Sequence, residues 1–539
     1  MASAERSQLF AGLRVTSFGT LASRVLGMLR DVATAALLGL SGDGVMDAFV
    51  IAFRIPNLFR RLFGEGALAA SYLPVLSTKL EHDRRAAWQL ASVTLVWLAM
   101  ILAAVVLAAE GVCAGVWLFY GDVPGMKLLV GLSAVMLPYL FFICLAAQVS
   151  GTLHALAHFS TPALAPTLLN ICWLAAIWLF APRWSDDKHV QAYVLALAVL
   201  VAGVLQLAAQ LPVLRRLGFR FDYNWPASRE AVGQIVRSMG PMVVGLAVTQ
   251  INSFFDSILA WGLAAPADGA AQIAWLGGAI EYPLKQGAAA AIYYGERLYQ
   301  FPLGLLGMAV ATVIFPALSR HAARGQFDRL GEDLTLGVRL VLFLAVPAGA
   351  GLMLISEPLA RLLFQHGAFT AQDAARVARM IACYGLGVWA FCAAPVVVRG
   401  YYALGDRTTP LRVGMVSMLV NLALNLALVW PLAEAGLALA TSLSAMLQVA
   451  LLLSRFSRHG GCLGWAEIGR TTILTLAATA CMLAAGYAAM AWAPHDFGLG
   501  KEFARVAAPI VAGSAAFLAV SRLLKAEELR LLLVSRGRR

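Results

Sequence analysis

The sequence predicts an all-α polytopic membrane protein with about fourteen transmembrane helices: two parallel-related six-helix lobes followed by two C-terminal helices. Three observations carry that expectation. Of 539 residues, 60% are hydrophobic and only 13% charged, with a mean hydropathy of +0.77, too little polar surface for a water-soluble domain. Apolar runs of the roughly 20 residues that cross a bilayer recur along the whole chain. A short motif pair repeats six spans apart.

The spans centre near Leu26, Leu62, Leu98, Leu140, Trp173, Val201, Gln250, Val310, Val346, Gly387, Leu422, Leu443, Met482 and Val511. The second is overlong and holds Pro56, Pro74 and the Gly64-Glu65-Gly66 step. Proline removes a backbone donor and clashes one turn back, so this helix is expected to kink. The first apolar run carries internal charges and leads straight into a second span, so a cleavable signal peptide is not expected.

The net charge is +12, but most of it sits in loops and reports topology, so nucleic-acid binding is not expected. Lys79, Arg84 and Arg85 fill one loop, Arg215, Arg216, Arg220 and Arg229 another. Three further alternate loops repeat this: Arg320, Arg324 and Arg329; Arg399, Arg407 and Arg412; Arg455, Arg458 and Arg470. Lys525 and Arg530 open a basic tail. The intervening loops are poorer in cations, with Arg361–Arg379 the exception. The positive-inside rule then puts both termini in the cytoplasm and requires an even number of spans.

The repeat pairs Leu73-Pro74-Val75-Leu76-Ser77 with Phe315-Pro316-Ala317-Leu318-Ser319. It also pairs the stretch from Ala155 to Pro162 with that from Ala403 to Pro410. Six spans is an even offset, so the copies share an orientation. The expected divisions are 1–236, 237–456, and a helix pair with a basic tail at 457–539.

The candidate site begins where charges enter spans. Arg24, Arg30 and Asp31 lie on the first span, Asp47, Arg54, Arg60, Arg61 and Glu65 on the second. A charge at the centre of a lipid-facing helix costs about 2.5–3.5 kcal/mol, so such a set faces a wet cavity or one another. Residues seven apart share a helix face, which aligns Arg24 with Asp31 and, separately, Asp47, Arg54 and Arg61. Arg60 points about 100° away from Arg61. Two readings follow: a cationic chamber for an anion, or a buried ion-pair latch. Arginines exceed acids five to three, leaving a cationic surplus. Arginine suits phosphate because its planar fork bonds bidentately and stays charged when desolvated.

In the eighth span, Glu296 and Arg297 stand among tyrosines; Arg297 either clamps a diphosphate with the first-lobe arginines or snorkels to the interface. Asp256, alone in the seventh span, either binds Na⁺ or a proton or pairs with an arginine. The Ala264–Ala291 segment reads as an amphipathic flap or a poorly ordered insertion. His154 and His158 have metal-compatible spacing without a third ligand and read better as a helix-end pair. The seven cysteines form no C-x-x-C and read as core filler. Metals, cofactors and enzyme motifs are not expected, and without a nucleotide-binding motif neither is ATP-driven transport by this chain alone.

The run Ser23-Arg24-Val25-Leu26-Gly27, Arg30-Asp31, Asp47-Ala48-Phe49, Pro56-Asn57-Leu58, Arg60-Arg61 and Glu65-Gly66-Ala67 closely resembles the MurJ/MviN lipid II flippases. The likeness continues through Ala165–Asn170 and through Glu296-Arg297-Leu298 with Phe301-Pro302. It implies the multidrug/oligosaccharidyl-lipid/polysaccharide exporter fold, a cationic central cavity, and a tail groove formed with the last two helices. The implied substrate is lipid II, an undecaprenyl-diphosphate-linked peptidoglycan precursor, moved from the inner to the outer leaflet of the bacterial plasma membrane. The family's essential cavity residues match Arg24, Arg30, Asp47, Arg60 and Arg297; Asp31, Arg54, Arg61, Glu65, Asp256 and Glu296 are secondary cavity candidates. Implied partners are lipid II, membrane lipids and other wall-synthesis proteins. Some relatives bind Na⁺ with acids in the seventh and a later span; here the tenth and eleventh spans offer no Asp or Glu to join Asp256. Competing expectations are a cation-coupled drug exporter, which needs an acid-lined cavity, and a non-transporting scaffold for wall synthesis.

Overall fold

The computed structural model describes residues 2–61, 68–266, 272–275, 278–457, 461–492 and 498–534. It separates into two compact units, Met1–Ala289 and Ala290–Arg539.

The first unit opens with α1 (Ala2–Leu38). A turn follows in which Gly39, Asp43 and Gly44 all have positive φ, as the glycine-rich sequence requires. The second expected span is described as α2 (Val45–Phe59), with π geometry at Arg60 and Arg61, and α3 (Leu68–His82). The Gly64-Glu65-Gly66 step, Glu65 included, lies outside the described residues. Next come α4 (Arg84–Tyr120), whose first turn is capped by Asp83, and α5 (Met126–Ala155). Helix α6 (Ser160–Ala175) passes through a π turn at Ala176–Phe180 into α7 (Ala181–Trp184). Helices α8 (Lys188–Arg216) and α9 (Trp225–Gly262) are capped by Asp187 and Asn224. The 236/237 division therefore falls inside one continuous helix, α9.

The segment after α9, expected as a flap or insertion, contains a hairpin: β1 (Gln272–Trp275) pairs antiparallel with β2 (Gly278–Glu281). This hairpin and an isolated bridge between Ala264 and Leu284 are departures from all-α among the described residues.

The second unit holds α10 (Ala288–Pro302), a π turn at Leu303–Gly307, α11 (Met308–Ala323), α12 (Phe327–Leu354) and the short α13 (Ser356–Phe364). It continues through α14 (Ala371–Ala403), α15 (Thr408–Leu432), α16 (Glu434–Phe456), α17 (Trp465–Ala491), α18 (Leu499–Leu523) and α19 (Glu527–Val534). Its core gathers Leu334, Val338, Val341, Ala393, Val396 and Phe456 from α12, α14 and α16. Helices α12 and α14 cross closely because Gly349 has no side chain: a Cβ there would sit 2.4 Å from the Gly385 carbonyl oxygen. Small residues at such crossings let backbones approach within a bilayer. Between α15 and α16 the glue is polar: Ser417 donates to the Ser444 carbonyl at 2.8 Å, and Asn421 to the Thr441 hydroxyl at 3.3 Å.

Eleven helical segments among the described residues are long and apolar enough to cross a membrane. The three remaining expected spans are α1, which carries Arg24, Arg30 and Asp31, the α2–α3 pair, whose helices have 15 residues each, and α9. The segments that fall short are those that carry most of the candidate site.

The two copies of the repeat share a turn. Ala157 and Gly405 both have positive φ, at 56° and 77°. In each, the next residue's amide reaches five residues back: His158 to Leu153 and Asp406 to Tyr401. The side chain after the left-handed residue then bonds the start of the following helix. His158 bonds Thr161 at 2.9 Å, and Asp406 accepts from the amides of Thr408 and Thr409.

Two cations of the Arg361–Arg379 stretch are ion-paired. Arg361 pairs with Glu357 and lies 3.9 Å from the fully buried Glu502. Arg376 pairs with the buried Glu434 at 2.7 Å. A further cluster ties the C-terminal helices to α12: Arg339 reaches Glu467 on α17 and Glu527 and Glu528 on α19.

Two outcomes are expected. Removing one partner of a buried ion pair strands the other, so Arg376→Ala should cost about 3 kcal/mol of stability, and Arg376→Met with Glu434→Leu less. Thermal unfolding of the purified protein measures both. Burial opposes ionisation of Asp406, but bonds from Thr409 and Thr408 outweigh it and hold its carboxyl down to about 2. Its unfolded value is about 3.9, so its contribution is full above that and is lost as pH falls through about 2. Asp406→Asn should remove that pH dependence of the unfolding midpoint.

Candidate functional site

On α1, Arg24 and Asp31 differ in environment despite their spacing. Arg24 is exposed, and among the described residues it has no hydrogen bond or ion pair. Asp31 is buried and accepts from its neighbour Arg30, from Nη2 at 2.8 Å and Nε at 3.1 Å. Arg30 is buried too. Its Nη1 donates to Asn170 on α6 at 3.2 Å, and its guanidinium lies 4.5 Å from the centre of the Trp173 ring. Trp173 donates to Thr34, which donates to the Arg30 carbonyl. Phe49 and Phe53 of α2 meet the same indole edge-on. Arg30 is thus held by a carboxylate, an amide and an aromatic face, the set that makes a buried guanidinium tolerable.

The aligned series on α2 resolves into contacts within the first unit. Asp47, 1% exposed, accepts from the Gly287 amide at 2.7 Å. Arg54 donates through Nη1 to the Ser253 carbonyl at 2.8 Å and to its hydroxyl at 2.7 Å. Arg61 donates to Gln250 at 3.3 Å. One face of α2 therefore meets α9 and the loop beyond it. Arg60, off this face, is half-buried and donates to Asn57 at 3.1 Å within its own turn. Asp256 is buried on α9, three residues beyond Ser253.

In the second unit, Arg297 is half-buried, donates to the Tyr293 hydroxyl at 2.6 Å, and lies 4.5 Å over that ring. Glu296 is buried, and Tyr294 anchors the helix between Phe364 and Phe369. The π turn at Leu303–Gly307 follows at once, as the π geometry follows α2 at Arg60. Such turns shift the side-chain register and often mark functional positions.

Residues that charge patterning missed are Asn170, Trp173, Gln250, Ser253, Tyr293 and Gly287. An intramembrane Asn, Gln or Ser is a detectable signal, since it needs a partner in the bilayer. Gly287 carries none. The histidine pair behaves as helix-end residues: His154 stacks on Phe159, and His158 bonds Thr161. No group of three metal-ligating side chains occurs among the described residues. The core-filler reading holds for Cys144 and Cys392 but fails for Cys462 and Cys481, which are exposed: one lies in the connection before α17 and the other on its outward face.

Comparison with known proteins agrees with this architecture. The family model described as lipid II flippase MurJ matches residues 34–508. A probable lipid II flippase MurJ of Vibrio cholerae serotype O1 is 34% identical over 451 residues, covering 81% of each chain. A solved lipid II flippase MurJ in an inward closed conformation superposes with a TM-score of 0.73 at 23% identity, covering 94% of this chain and 98% of that one. An inward-facing multidrug resistance MATE family transporter superposes at 0.65 with 12% identity, over 81% and 95%.

The fold is that of a multi-pass helical membrane transporter, shared with the multidrug exporters. Within that class, the chain belongs to the MurJ family of lipid II flippases.

Arg30 and Arg24 should respond differently to loss of charge nearby. Asp31→Ala strands a buried guanidinium and should lower stability by about 3–5 kcal/mol. Arg24→Ala, at an exposed position, should stay within about 0.5 kcal/mol. Thermal unfolding in detergent distinguishes them.

Proposed function

We propose that Arg24, Arg60 and Arg297 recognise the diphosphate of lipid II during its passage from the cytoplasmic to the outer leaflet by alternating access. The cation surplus carries this reading: five arginines against three acids in the first two spans, on a chain of the flippase family. A substrate with two phosphates supplies the negative charge that such a surplus lacks, and a guanidinium fork matches its oxygens. Arg30 and Asp47 complete the family's essential set. Arg54, Arg61, Asp256 and Glu296 are secondary candidates, and Glu65 lies outside the described residues.

In this reading α1, α2–α3 and α9 also cross the bilayer, giving fourteen spans, and both termini lie in the cytoplasm. The lobes are 1–236 and 237–456, and the pair with its tail at 457–539 flanks the prenyl chain. The membrane potential, inside negative, favours return of the empty cationic site, at about 2.3 kcal/mol per charge per 100 mV. The protein is a transporter and not an enzyme, and other wall-synthesis proteins receive its product.

Replacing Arg24, Arg60 or Arg297 by Ala should each reduce lipid II in the outer leaflet at least ten-fold, measured in cells with matched protein levels. Unchanged export in all three would overturn the reading. Arg60→Lys should also be impaired, since a point charge lacks the fork; normal export by that variant would remove the bidentate part. Drug resistance on overexpression would favour the exporter alternative.

A further inference from the structure

We propose that Asp47 works as a positioning residue, the anchor of a clasp with Gly287 that pins the strap after the hairpin to the start of α2. This role presupposes that the chain flips lipid II as proposed above; the clasp itself is a feature of the first unit.

The strap is the run Leu284-Lys285-Gln286-Gly287. It is tied at both ends. Leu284, 1% exposed, exchanges backbone hydrogen bonds with the end of α9: Ala265 donates to its carbonyl at 2.9 Å, and its own amide donates to Leu263 at 3.3 Å. At the other end the Gly287 amide donates to Asp47 Oδ2 at 2.7 Å. A buried carboxylate costs several kcal/mol unless hydrogen bonds satisfy it, so the contact is strong where it is made and costly to lose.

Gly287 is the half of the clasp that the charge pattern hid. Its φ is +86°, in the left-handed region that side chains disfavour. A Cβ at this position would lie 2.6 Å from the Leu40 carbonyl oxygen, and Leu40 is itself fully buried. Only glycine lets the strap come close enough for its amide to reach Asp47. The clasp also explains the spacing on α2. Asp47, Arg54 and Arg61 share a face because each meets the same neighbour, α9 or its strap, at successive heights. The face that positions α2 is thus distinct from the direction in which Arg60 points.

Limited trypsin digestion of the purified full chain reads the clasp directly. Lys285 is exposed within a strap held on both sides, so its cleavage requires the strap to lift. Arg324, exposed at the end of α11, is the internal reference for general unfolding. Asp47→Ala and Gly287→Ala should each raise cleavage after Lys285 at least ten-fold relative to cleavage after Arg324. Asp47→Asn keeps an oxygen acceptor and should stay within about three-fold of the parent. In cells, lipid II export should fall similarly in both alanine variants, and the double variant should be no worse than either, since both break one contact. A strap as protected in Asp47→Ala as in the parent overturns the clasp, as does additive loss of export in the double variant. The digestion uses no lipid II, so failure of the arginine variants to affect export would sink the diphosphate-recognition reading while leaving the clasp standing.

Discussion

A guanidinium or carboxylate at bilayer depth must be solvated by something other than water, and this constraint shapes the protein more than any other. Arg30 shows the solution in full. An adjacent carboxylate, an amide 140 residues away and an indole face together replace its hydration shell. Each of these groups is in turn fixed: Asn170 also donates to the Ser23 carbonyl, and Trp173 to Thr34. The packing of α1 on α6 is thus the solvation of one side chain, extended through its supports. Arg376 with Glu434, and Arg339 with its three glutamates, apply the same rule in the second unit.

The constraint divides the arginines by the work they do. Those wholly enclosed by acceptors act as structural joints. Arg24 is exposed, and Arg54, Arg60, Arg61 and Arg297 are half-buried. Positional pattern alone cannot make this division. Seven-residue spacing places Asp47, Arg54 and Arg61 together, but it is silent on whether that face meets a cavity or another helix. Here it meets Ser253, Gln250 and Gly287.

Among the described residues, π geometry occurs at Arg60 and Arg61 after α2, at Ala176–Phe180 between α6 and α7, and at Leu303–Gly307 after α10. A wider turn re-aims the side chains beside it, at Arg60 and Arg61 among them.

The sequence by itself determined the class, eleven of the expected spans and the identity of the charged residues. Those signals are local: hydropathy is summed over one helix, and the turn at Ala157 and Gly405 is set by residues within one loop. Its limits are equally physical. The hairpin at Gln272–Glu281 escaped notice because an Ala/Gly-rich stretch has no alternating pattern. The partners of Arg30 and Asp47 lie 140 and 240 residues away, and a glycine amide leaves no trace in composition. Only the tertiary structure decided which acceptors each buried charge meets. That choice depends on which backbone and side-chain oxygens fold against each guanidinium, and chain order does not encode it locally.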